Sequence, residues 1–178
     1  MEKSNKLVGI EWLIFQKIQS IISVDMNWNQ SGPKPWTKLV YNALKELGDD
    51  LHYTVYSSAF KEDGHAGWLY DLIWSIDDDS EQQINDWKEF RGLGLICEVE
   101  WGGYDAILHD FTKLTIGNAQ HRLMIVNHND EDKKNNQWEQ IKALCLKASK
   151  YRFQNFNYLL ISIPWSDKKN LQYHSWNY

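Results

Sequence analysis

The chain is poor in cysteine and proline and has no long apolar run. Of its 178 residues only Cys97 and Cys145 are cysteine, and their separation matches neither a metal-ligand nor a redox spacing. Both are expected as buried thiols. That usage excludes a disulfide-stapled secreted fold and fits a reducing, cytoplasmic compartment. No basic-plus-apolar leader opens the chain and its apolar stretches are too short to span a bilayer, so no membrane partner is expected. The histidines, at positions 52, 65, 109, 121, 128 and 174, form no His-x-x-x-His pair, which argues against zinc. Ser57-Ser58 lacks the Gly-x-Ser-x-Gly setting of a nucleophile elbow. Gly92-Leu-Gly94 precedes a strand rather than a helix, the wrong context for cradling phosphates. Repeats and low-complexity segments are missing as well.

What is present is enough apolar material, 43% of the residues, for one domain with a sizeable core. Ten Trp and nine Tyr supply large aromatic anchors, most of them at periodic core positions. The net charge is −5, unevenly spread: residues 62–110 carry a net −11, whereas residues 111–178 carry +5. An acidic middle beside a basic end suits either a solvated acidic loop or a metal site next to a phosphate-binding surface.

Helical spacing of Leu7, Ile10, Ile14, Ile18 and Ile22 predicts a first helix over residues 6–24. A loop follows at residues 25–35, then a helix over residues 36–47 with Gly48 as its stop. Strands are predicted at 51–57, 68–76, 95–101, 123–127 and 158–165. Helices are predicted over 104–118 and around Trp138–Ala148, with residues 77–94 a polar loop or short helix and no period in the tail.

The strand Leu-Ile-Cys-Glu-Val-Glu-Trp at 95–101 is apolar but for two acids. Side chains alternate faces along a strand, so Ile96, Glu98 and Glu100 share one face while Leu95, Cys97, Val99 and Trp101 share the other. The two carboxylates would stand roughly 7 Å apart and repel by roughly 2.5 kcal/mol at an effective dielectric of about 20. A bound cation, a raised pKa or open water would relieve that repulsion. Asp71 is a second anomaly, an acid and poor strand former between Tyr70 and Leu72 in an aromatic and aliphatic run.

With Asp71, the triplet Glu98-Val99-Glu100 and this order of elements, the chain resembles the PD-(D/E)XK nuclease superfamily. The resemblance covers residues 36–127 and implies an α/β, single-domain, restriction-endonuclease-like αβββαβ core. A further N-terminal helix and a C-terminal helix plus strand would complete residues 1–178. The run Glu-Val-Glu-Trp-Gly, followed by Asp-Phe-Thr-Lys-Leu, is similar to that of a group of bacterial proteins of this superfamily.

The resemblance implies a Mg²⁺- or Mn²⁺-dependent nuclease acting on DNA, with RNA an alternative substrate and a homodimer left open. Asp71, Glu98 and the Val99 carbonyl would be metal ligands. Glu100 stands where the family usually has lysine; at least one restriction endonuclease of the family carries a Glu-x-Glu version. Glu100 would take a proton from the attacking water or hold a second ion. Lys113, on the following helix near Asp110 and His109, would stand in for the displaced lysine. An acid from a leading helix, Glu46 or Glu11, could join the site. Two other readings stay open: a catalytically silent module of the same fold that binds nucleic acid or protein, and an acidic immunity- or inhibitor-type protein that covers a basic partner.

Overall fold

Three apolar runs in the second half of the chain are too uniformly hydrophobic for a one-sided sheet, and the computed structural model places them at the parallel centre of one. Residues 7–23, 33–63, 69–77, 90–129, 136–150, 156–164 and 170–177 are described. The elements are α1 (Gly9–Ser23), α2 (Pro33–Asp50), β1 (Thr54–Ser57), a 3₁₀ turn (Ser58–Asp63), β2 (Leu72–Asp77), β3 (Phe90–Glu100), α3 (Tyr104–Ile116), β4 (Ala119–His128), α4 (Gln137–Ser149), β5 (Asn157–Pro164) and β6 (Gln172–Asn177). The strands form one mixed sheet in the order β1-β2-β3-β4-β5-β6. β3, β4 and β5 run parallel, while β1–β2, β2–β3 and β5–β6 are antiparallel pairs.

Helices cover both faces, as parallel strands buried on two sides require. α1 and α2 pack on the face bearing Leu95, Cys97, Val99, Leu123 and Ile125. α3 and α4 pack on the face bearing Ile96, Met124, Val126 and Leu160. The alternation expected for residues 95–101 therefore holds, and Glu98 and Glu100 lie on the α3 side. No helix among the described residues is long and apolar enough to cross a membrane.

Several boundaries differ from the sequence reading. Gly48 does not stop α2, which runs on to Asp50; a Cβ there would stand 2.6 Å from Val55 Cγ2 and 2.7 Å from Trp74 Nε1. The glycine serves a close helix–sheet approach, and the Trp74 indole N–H reaches over it to the Leu44 carbonyl at 3.1 Å. Pro33 opens α2, three residues before the expected start, at a position where a missing N–H costs nothing. Asp71 is not inside a strand but in the bend just before β2. β3 begins at Phe90, and β4 at Ala119 because α3 ends at Ile116.

A sixth strand, β6, follows the expected C-terminal helix and strand; it pairs with β5 and sets Trp176 opposite Tyr158, with ring centroids 5.2 Å apart. The expected start of the second strand at Trp68, most of the expected polar segment at 77–94, residues 130–135 and Trp165 lie outside the described residues.

One buried cation belongs to the scaffold. Arg122 of β4 is fully enclosed. Its guanidinium donates to the carbonyls of Leu114 and Ala119, each at 2.9 Å, and of Gly117, and it lies over the Phe156 ring. One carbonyl of the last turn of α3 and two of the link into β4 are thereby satisfied, and burial pushes the guanidinium pKa down to about 10.

Candidate functional site

β2 starts at Leu72, opposite Cys97, so the last residues of β3 run past it. At that open edge the Val99 amide donates to Asp71 Oδ2 at 2.9 Å. A strand residue points its N–H and C=O to the same side, so the Val99 carbonyl faces the same notch. From α2 the buried Tyr41 hydroxyl also bonds Asp71; burial first, and then the Asp71 charge, hold that phenol well above its ordinary pKa. The bend carrying Asp71 is tied to α3 by the Tyr70 hydroxyl, which donates to the Lys113 carbonyl at 3.4 Å.

Glu98, two residues earlier on the α3 side than Glu100, is completely shielded from solvent. Lys113 Nζ lies 2.8 Å from its Oε1 and 3.0 Å from Asp110 Oδ1. Oε2 has no hydrogen-bond partner among the described residues. Burial raises the Glu98 pKa to about 8; the Lys113 bond works against this rise and the Asp71 charge adds to it. Burial alone would lower the Lys113 pKa, but its bonds to Glu98 and Asp110 hold it above the ordinary value.

Glu100 completes the group. Its Oε1 accepts the Gly102 amide, and a Cβ on Gly102 would crowd that oxygen at 2.8 Å. Its carboxyl also bonds Asp110, and the pair titrates unequally. Glu100 is raised, first by burial and then by Asp110. Asp110 is lowered, since Lys113 and His109 outweigh its own burial. His109 Nδ1 lies 3.1 Å from Asp110 Oδ1 with the ring in solvent.

Asp71, Glu98, Val99, Glu100, Asp110 and Lys113 thus converge, with His109 on the outer rim. Glu46 and Glu11 do not join them. Glu46 reaches back to Lys17 of α1 at 2.7 Å, and Glu11 faces His121 at 3.6 Å on the α1/α2 face of the sheet, the opposite face from Glu98. Tyr41, unanticipated from sequence, is what α2 contributes. Its place in the helix stripe beside Val40 and Leu44 reads as ordinary core, and only the fold brings Asp71 to it.

The donor set is oxygen: Glu98 Oε2 without a partner, the Asp71 carboxylate and the Val99 carbonyl edge, which suits Mg²⁺ with its one or two carboxylates plus waters. No group of three or more His, Cys, Asp or Glu among the described residues forms a ready metal cage. Among the described residues the cation in contact with Glu98 is the Lys113 ammonium. No family model, curated protein or solved structure matches the chain significantly.

Proposed function

We propose that the chain is a Mg²⁺-dependent nuclease of the PD-(D/E)XK kind that hydrolyses phosphodiester bonds of DNA. One observation carries the reading: Glu98 Oε2 is out of water, within the field of the Asp71 charge, and without a donor among the described residues. Such an oxygen is costly to bury unless something positive completes it. The order α2-β1-β2-β3-α3-β4 supports the reading, with Asp71 entering the second strand, the acid pair ending the third and Lys113 on the next helix.

Asp71, Glu98 and the Val99 carbonyl would hold the ion, which when bound stabilises charge on the phosphoryl oxygens and lowers the pKa of a bound water. Glu100, a carboxylate made more basic by burial and by Asp110, would take a proton from the attacking water. The water oxygen bonds phosphorus as the bond to the leaving sugar oxygen breaks, and solvent protonates that oxygen. Lys113 sets its charge against the non-bridging oxygens. Asp110 keeps Lys113 and Glu100 in place. Tyr41 and the Val99 amide fix the Asp71 carboxylate.

Thermal unfolding with and without Mn²⁺ or Mg²⁺, beside plasmid, single-stranded DNA and RNA cleavage, tests the reading. Millimolar metal is expected to raise the melting temperature by mass action, and Asp71→Asn or Glu98→Gln is expected to abolish both the rise and cleavage. Neither rise nor cleavage in the wild type would sink it. A second reading, the same fold as a silent nucleic-acid- or protein-binding module, is favoured by the Lys113–Glu98 pair, which already supplies a cation. Metal binding without cleavage of any of the three substrates would select it.

A further inference from the structure

Lys113 is the more exposed partner of the buried Glu98 carboxylate. Its side chain is 24% exposed, whereas that of Glu98 is at 0%, so a charged group arriving from outside meets the ammonium before it meets Glu98. The same ammonium holds Glu98 Oε1 at 2.8 Å and, one turn back along α3, Asp110 Oδ1 at 3.0 Å. Resting on the nuclease reading above, we propose that Lys113 is a tethered counter-ion that competes with the divalent cation for Glu98. It yields the carboxylate when a phosphodiester arrives to take its charge.

Three physical points support this. An ammonium in contact with one oxygen of a buried carboxylate repels any divalent ion approaching the other, and the low local dielectric leaves that repulsion poorly screened. Lysine is a compact charge on a flexible stem, able to redirect without losing donors, and Asp110 gives it a second partner, so releasing Glu98 does not leave it unpaired. A phosphate oxygen bound at the mouth would draw the ammonium outward, lowering the repulsion at Glu98. By linkage the ion and the phosphodiester would then each tighten the other's binding by the same factor.

The test is Mn²⁺ titration by calorimetry and by the spin-resonance signal of free Mn²⁺, at one fixed pH. It is run with and without a 12-nucleotide phosphorothioate oligodeoxyribonucleotide, in single-stranded and duplex forms. For wild type, Mn²⁺ binding is expected to tighten about tenfold or more with the oligonucleotide, as a coupling of this kind allows. Lys113→Gln is expected to bind Mn²⁺ alone about fivefold tighter than wild type and to respond less to the oligonucleotide. Lys113→Met, similar in length, is the second variant should the amide disturb folding, and circular dichroism checks both. A variant that binds Mn²⁺ no tighter than wild type overturns the counter-ion role and leaves the nuclease reading standing. No Mn²⁺ binding to wild type, with or without oligonucleotide, overturns both.

Discussion

Replacing Glu98 with glutamine should make the protein more resistant to unfolding in base and no more resistant in acid. The Glu98 carboxyl has a pKa of about 8 in the fold against 4.5 for the free side chain. A group whose folded pKa is raised stabilises the fold fully below its unfolded value and loses that contribution as pH rises through the folded one. The loss therefore falls between pH 4.5 and 8, at about 1.4 kcal/mol per pH unit. Across the whole window this comes to roughly 4–5 kcal/mol at most. Lys113 stays charged throughout, because Glu98 and Asp110 raise its pKa, so its pairing adds no slope of its own. Glutamine keeps the shape of Glu98 and does not ionise.

The wild-type unfolding free energy, taken relative to Glu98→Gln, should then fall by about 4 kcal/mol between pH 5 and pH 8.5. In melting temperature this is roughly 8–16 °C for a chain of this size. Urea unfolding followed by tryptophan fluorescence measures the difference, and groups that titrate alike in both proteins drop out of it. If the two proteins run parallel across this range, Glu98 is not a strained acid and the argument for a cation beside it loses its physical basis.

Other outcomes follow from particular contacts. Arg122→Met should cost about 2–4 kcal/mol in urea unfolding, because three buried carbonyls lose their donor; Arg122→Lys should recover less than half, since an ammonium lacks the guanidinium fork. Gly48→Ala should destabilise by about 1–3 kcal/mol through overpacking against Val55 and Trp74, even though alanine is the better helix former; a more stable variant would refute the close-approach account. Cys97 and Cys145 are both buried with thiol pKa values raised by desolvation, to about 12 for Cys145, so a thiol reagent at pH 8 should label neither until denaturant is added.

Where hydrophobic period and burial agree, the fold could be read from residues alone. The alternation of Ile96, Glu98 and Glu100 against Leu95, Cys97 and Val99 placed each side chain on its observed face, because a strand buried on both sides tolerates no register slip. Lys113 was legible for a related reason, since helical spacing puts it beside Asp110 and the helix follows the acid strand directly. Local rules treat a glycine after an apolar stripe as a stop, and only the Trp74 ring opposite Gly48 gives the other reason for its presence. The apolar neighbours of Asp71 read as a strand, although its carboxylate serves the edge of β3 from just outside β2. β6 carries no readable period because Gln172–Asn177 has Tyr173 and Trp176 three residues apart, on opposite faces, with no aliphatic residue between them, and its pairing is decided by β5. Glu46 and Glu11 were reasonable helix acids that long-range pairing sent elsewhere. Tyr41 had no local signal at all.

Each strand of the sheet lies beside its predecessor in the chain, from β1 through to β6. No strand has to be threaded between two that have already paired, and none must wait for a distant part of the sequence. During synthesis the sheet can therefore lengthen from one edge only, each new strand docking on the last as it leaves the ribosome. Loop closures stay short as it grows, and each new strand becomes the edge on which the next one pairs, β6 being the last. β2 and β3, which bracket the acid-bearing notch, are laid down early in that sequence, and β4 then covers the other edge of β3.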